Sequence, residues 1–111
     1  MNTTDIIRGT DLTFILNIAA PGFDPSSDRW KIAFRIGGEE VGKVESTDAT
    51  QMESGFVVAV DTALWPSGPL YYVVTAYIPD GYQQDGKRTE IASGFTGFNI
   101  VSYERNWNRM P

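Results

Sequence analysis

The sequence predicts an all-β domain with its strands packed as a sandwich. Three observations carry the prediction. Leu70 to Ile78 is dense in β-branched and aromatic residues, which suit a pleated, half-buried surface. Two further stretches, Asp11 to Ala19 and Trp30 to Ile36, alternate apolar and polar residues with a period of two. Turn residues break the chain at short intervals, and no stretch of useful length keeps a helical period.

In chain order, Met1 to Asp5 is polar, and Ile6 to Gly9 is short enough for only a brief first strand before a bend at Gly9-Thr10. Leu12, Phe14, Leu16 and Ile18 then face one way, with Thr13, Ile15 and Asn17 opposite. Ala20 to Arg29 holds Pro21-Gly22, Asp24-Pro25 and Ser26-Ser27-Asp28 and reads as a loop. Trp30, Ile32, Phe34 and Ile36 form an inner row, leaving Lys31, Ala33 and Arg35 outside. Gly37-Gly38 turns the chain into Glu39 to Glu45. That segment is polar, with Val41 and Val44 its only large apolar residues, and reads as an edge strand. Ser46 to Gly55 reads as polar linker, and Phe56, Val58 and Val60 as one face of the next strand.

Asp61 to Pro69 is a connection whose apolar pair, Leu64 and Trp65, is expected to plug one end of the sandwich. Leu70, Tyr72, Val74, Ala76 and Ile78 then face the core, while Tyr71, Val73, Thr75 and Tyr77 face out. Pro79 ends the strand because it offers no N–H to a ladder. Asp80-Gly81 and Asp85-Gly86 punctuate a loop, and Lys87 to Ile91 returns as a strand. Ser93 to Val101 continues the sheet, its two glycines marking a bulge or a close backbone approach, with Phe95 and Phe98 expected in the core. The count is about seven strands, which fits an immunoglobulin-like antiparallel β-sandwich, with a small barrel as the alternative. The sandwich domain is expected over 1–101. The tail over 102–111 has no strand rhythm, and the two readings are docking on a neighbouring subunit and simple fraying.

Composition narrows the function classes. At 111 residues the chain is one domain. The net charge of −5 and the expectation that nothing clusters Lys or Arg into a stripe argue against a nucleic-acid surface. With no cysteine and no histidine there is no disulfide, no thiolate-bound metal and no imidazole base. Met1 to Gly9 lacks the charged and apolar regions of a signal peptide, and no stretch has the ~20 apolar residues of a membrane helix, so a cytoplasmic origin without a membrane route is expected.

Carboxylates at Asp61, Asp80, Asp85 and Glu90 are the raw material for glycosidase-type chemistry, but as loop and turn residues they read as solvated, and no enzyme activity is expected. Asp80 and Asp85 in a glycine-bearing loop raise calcium, although their spacing is not that of an EF-hand and Asp-Gly marks ordinary turns. No metal or cofactor is therefore expected. The aromatics outside the inner row point instead to contact, since Tyr and Trp anchor protein interfaces. Tyr71, Tyr77, Tyr82, Tyr103 and Trp107 are the expected partner-binding residues. The competing reading is a carbohydrate-binding module with Trp65, Tyr77 and Tyr82 as a stacking platform.

Three groups of residues carry a resemblance. They are Ile7-Arg8-Gly9-Thr10-Asp11-Leu12-Thr13-Phe14, then Val60-Asp61-Thr62 with Gly68-Pro69-Leu70, then Ala76 to Asp80 running on to Asp85-Gly86-Lys87-Arg88-Thr89-Glu90. Together they resemble the immunoglobulin-like domains of tailed-bacteriophage structural proteins, including the amino-terminal domains of baseplate upper proteins and fibre-anchoring proteins, with similar domains in phages and prophages of gut Bacteroidota. The resemblance spans Asp5 to Val101 and touches no catalytic group. It implies a virion part, assembled in a bacterial host cytoplasm, that contacts other virion proteins and copies of itself. With no fibre shaft or receptor-binding head after the domain, it implies a small adaptor, decoration or fibre-anchoring role.

Overall fold

The computed structural model describes residues 3–102. Eight strands follow one another: β1 (Thr4–Ile7), β2 (Asp11–Leu16), β3 (Arg29–Ile36), β4 (Glu39–Glu45), β5 (Thr50–Met52), β6 (Gly55–Asp61), β7 (Gly68–Pro79) and β8 (Lys87–Val101). They form a five-stranded sheet in the order β1-β8-β7-β3-β4 and a three-stranded sheet in the order β2-β6-β5. The order β2-β6-β5 is that of immunoglobulin strands B, E and D, and β3, β7 and β8 take the places of C, F and G. The sandwich is immunoglobulin-like.

Alternation explains the packing. Trp30, Ile32, Phe34 and Ile36 of β3, and Leu70, Val74, Ala76 and Ile78 of β7, are all buried. Leu12, Phe56 and Val58 meet them from the smaller sheet. Aromatic rings bridge the layers, Phe14 against Phe34 at 5.3 Å and Trp30 against Phe56 at 4.8 Å between centroids. These contacts hold the sheets together where an antibody domain uses a disulfide. Trp30 gives its ring to the core at a cost, because its buried indole N–H finds no acceptor.

The strand assignments hold with four corrections. Ser46 to Gly55 is no plain linker; a short 3₁₀ turn over Ser46–Asp48 leads into β5, whose residues are all exposed and so carry no apolar rhythm. Only one of the apolar pair plugs the core: Trp65 is buried against Phe34, while Leu64 is 96% exposed. The ring of Trp65 lies so close to the backbone of β4 that a β-carbon at Gly42 would stand 2.8 Å from it, which seats this apolar-poor edge strand. The sheet is not wholly antiparallel, since β1 runs parallel to β8, Thr4 opposite Phe98 through Ile7 opposite Val101. Finally, Phe98 packs on the core but Phe95 does not; it lies outside against Tyr71, ring centroids 5.3 Å apart.

The long hairpin of β7 and β8 is the spine. Its register runs from Pro79 opposite Lys87 to Tyr71 opposite Phe95, then slips between Pro69 and Tyr71. Both expected devices are present. Thr96 stitches the slip by donating its hydroxyl to the Leu70 carbonyl at 2.8 Å and accepting from the Phe98 N–H at 3.1 Å. Gly94 gives room to the Tyr72 hydroxyl, 2.9 Å from where a β-carbon would stand.

Candidate functional site

Residues directly opposite one another in a sheet share a face. The register therefore assembles the outer surface of the large sheet row by row. Arg35, Tyr71 and Phe95 form one row and Ala33, Val73 and Ser93 the next. Lys31, Thr75 and Ile91 follow, then Arg29, Tyr77 and Thr89. On β4, Lys43 stands opposite Ala33, Glu45 opposite Lys31 and Glu40 opposite Arg35. Lys87 closes the face opposite Pro79.

This face is basic on an acidic domain. Residues 3–102 carry seven Lys and Arg against thirteen Asp and Glu. The outer face of the large sheet holds five of those cations and three of the carboxylates, Glu40, Glu45 and, out on β1, Asp5. Everything else has two cations and ten carboxylates. The expectation that no Lys/Arg stripe exists thus holds along the sequence and fails in space. Arg29, Lys31 and Arg35 are spaced by two and four, so a strand projects all three to one side. Its β7 and β8 side is apolar and aromatic: Tyr71 is 47% exposed, and Ile91, on the β8 edge, 66%.

Of the expected contact residues, Tyr71 and Tyr77 share this face but lie six residues apart on β7, roughly 20 Å at strand rise, so they span the surface without touching. Tyr82 is fully exposed at the tip of the β7–β8 loop. That loop is stiffened by its own backbone, with the Asp80 N–H donating to the Gly86 carbonyl at 2.8 Å and the Gly86 N–H to Gln83 at 3.0 Å. Tyr103 and Trp107 lie outside the described residues. Sequence reading missed Phe95 and Ile91 as members of the face; the signal was their spacing of two with Lys87, Thr89 and Ser93.

The carboxylates are occupied locally. Asp80 accepts from the Tyr82 N–H at 2.9 Å and Asp85 from the Lys87 N–H at 3.1 Å, each capping its own turn. Asp61 likewise accepts from the Ala63 N–H at 2.9 Å, and Glu90 pairs with Arg88 at 3.0 Å. Arg88 also donates to the Pro21 carbonyl, tying the β2–β3 loop to the hairpin. Among the described residues no three acidic side chains converge as a metal cage would require. In that same β2–β3 loop, Asp24 is held below the usual aspartate range by the Ser26 hydroxyl, then the Ser26 N–H, then the Ser27 hydroxyl. The stacking platform loses a member, because buried Trp65 offers no face to a sugar.

Compared with protein-family models, curated proteins and solved structures, the chain finds no match.

Proposed function

We propose that this chain is a non-enzymatic interaction module that works through protein–protein contact, in a tailed-phage virion of the kind its motifs resemble. The observation that carries the reading is the outer face of the large sheet. Apolar and aromatic side chains on β7 and β8, flanked by the cations of β3 and β4 and by Lys87 on an otherwise acidic domain, make a surface suited to an acidic, partly apolar protein partner. Tyr71 is the anchor of that contact. Its ring is exposed, braced by Phe95 and opposite Arg35. Copies of this chain, acidic outside this face, are one such partner, and other virion proteins a second.

The test is light scattering on the full chain across a concentration series, for wild type, Tyr71→Ser and Arg35→Ser, at low and high salt. Self-association that weakens in both variants and in salt, with thermal stability unchanged, is the expected result. Association indifferent to Tyr71, Arg35 and salt, or a wild type that stays monomeric throughout, removes self-contact through this face.

A further inference from the structure

Among the described residues the small sheet stops one strand short of a constant-type immunoglobulin sheet, in which a further strand pairs with the free edge of B. Here β2, in the place of B, is the end strand of its sheet and among the described residues pairs only with β6, while β1 lies against β8 instead. Because β1 covers β8 only over Phe98 to Val101, the edge of β8 from Lys87 to Gly97 is also unpaired among the described residues. Between these two free edges opens a groove of about 690 Å³. Its floor is apolar, with Phe14 and Leu16 of β2, Val74 of β7 and Ala92 of β8. Its lips are Ile15 and Ile91, 54% and 66% exposed. Glu90 is the one charged residue lining it.

We propose that this groove receives the C-terminal tail of a second copy of the chain, added as a strand. The proposal rests on the contact reading above and names a second surface for it. Alternation places Tyr103, Arg105 and Trp107 on one side of an extended tail. That side offers two aromatic knobs flanking a cation to an apolar groove whose single carboxylate, Glu90, also pairs with Arg88. Residues 103–111 carry two arginines and one glutamate, against the net negative charge of residues 3–102. Edge backbone pairing supplies register, and the knobs supply affinity.

Reach decides between the chain's own tail and a neighbour's. Ala92, on the groove floor, lies nine residues before Val101, about 30 Å along a strand. Trp107 lies six residues after Val101, a span of at most ~22 Å even if fully extended and reversed without a turn. The edge it would follow is already taken by β1. Trp107 therefore reaches the centre of a neighbour's groove and not of its own. Such a contact is heterologous, so it propagates head to tail into a ring or a filament.

The test uses full-length variants in pairs, their dissociation constants read by fluorescence anisotropy. Trp107→Ala removes the knob and keeps the groove. Ala92→Trp fills the groove floor and keeps the tail, and Ile15→Lys, at the exposed lip, blocks the same groove without touching the core. Neither change alters Tyr71 or the basic face. We expect Trp107→Ala paired with either groove variant to bind about tenfold or more tighter than any variant binds itself, because only mixed pairs hold one intact tail and one intact groove. Equal, measurable affinity in all pairs overturns the tail insertion and leaves contact through the outer face standing. No association in any pair, wild type included, overturns both.

Discussion

Thr62 offers the sharpest test of how the sandwich is closed. It is the one fully buried polar residue among the described residues. Its hydroxyl donates to the Thr10 carbonyl at 2.8 Å and accepts from the Gly9 N–H at 2.8 Å. Those two backbone groups form the bend where the chain leaves β1 in the large sheet for β2 in the small one, so one hydroxyl pins the crossing. Thr62→Val keeps the shape and strands both groups. Two net hydrogen bonds at about 1 kcal/mol each give a loss of roughly 2 kcal/mol, rising toward 3 if water does not reach them. For a domain near this size that is roughly 8–16 °C in melting temperature. Urea unfolding by circular dichroism should show a lower midpoint with an unchanged slope. Thr62→Ser, which keeps the hydroxyl and loses a methyl, should sit between wild type and Thr62→Val. A valine variant within about 0.5 kcal/mol of wild type, or a serine variant less stable than valine, would refute the hydroxyl as the pin.

Other substitutions probe different parts of the structure. Gly42→Ala should cost about 1–3 kcal/mol by thermal melt, because its β-carbon must displace the Trp65 ring from 2.8 Å. Gly9→Ala meets nothing within 4 Å yet should cost about 1–2 kcal/mol, since φ there is +99°; the two alanines separate crowding from backbone strain. Trp65→Ala should cost about 3–5 kcal/mol by leaving a hole beside Phe34. Asp24 has a lowered folded-state pKa, so the stability it gives its loop is present above the unfolded value and lost as pH falls through the folded one. Carboxyl NMR should show its midpoint below that of a free aspartate, and Ser26→Ala should raise it, as the Ser26 hydroxyl is the largest cause.

Much of the fold was legible because alternation and burial coincide in β3 and β7, the two strands at the centre of the large sheet. Both are covered on one face and open on the other, which a period of two records directly. Where that coincidence lapses, so does legibility. β5 is exposed on both sides, and its Thr50-Gln51-Met52 shows no pattern to read. The parallel pairing of β1 hangs on a partner far along the chain, which four residues cannot encode. Leu64 and Trp65 are neighbours of like polarity, and their order along the chain does not say that Trp65 is the one to pack beside Gly42 and Phe34.

The contact surfaces follow the same logic, one step removed. The inner row of β3 was read from its hydrophobics, and the outer row is the remainder: Arg29, Lys31 and Arg35 point outward because Trp30, Ile32 and Phe34 point inward. A count of charges along the chain averages that row away, since net charge is a property of the whole and a face is a property of register. The groove was less legible still. No residue in it departs from a strand pattern, and Phe14, Leu16 and Val74 would read the same under a covering strand as beside an open one. What marks it is a missing neighbour, and pairing topology alone reports that. Inner polar residues on β8 are a trace in the sequence: Arg88 and Glu90 sit opposite Ile78 and Ala76, on the face that β3 and β7 keep apolar and aromatic. They pair with each other, and Arg88 also reaches the Pro21 carbonyl, so they mark the half of β8 that the small sheet leaves uncovered.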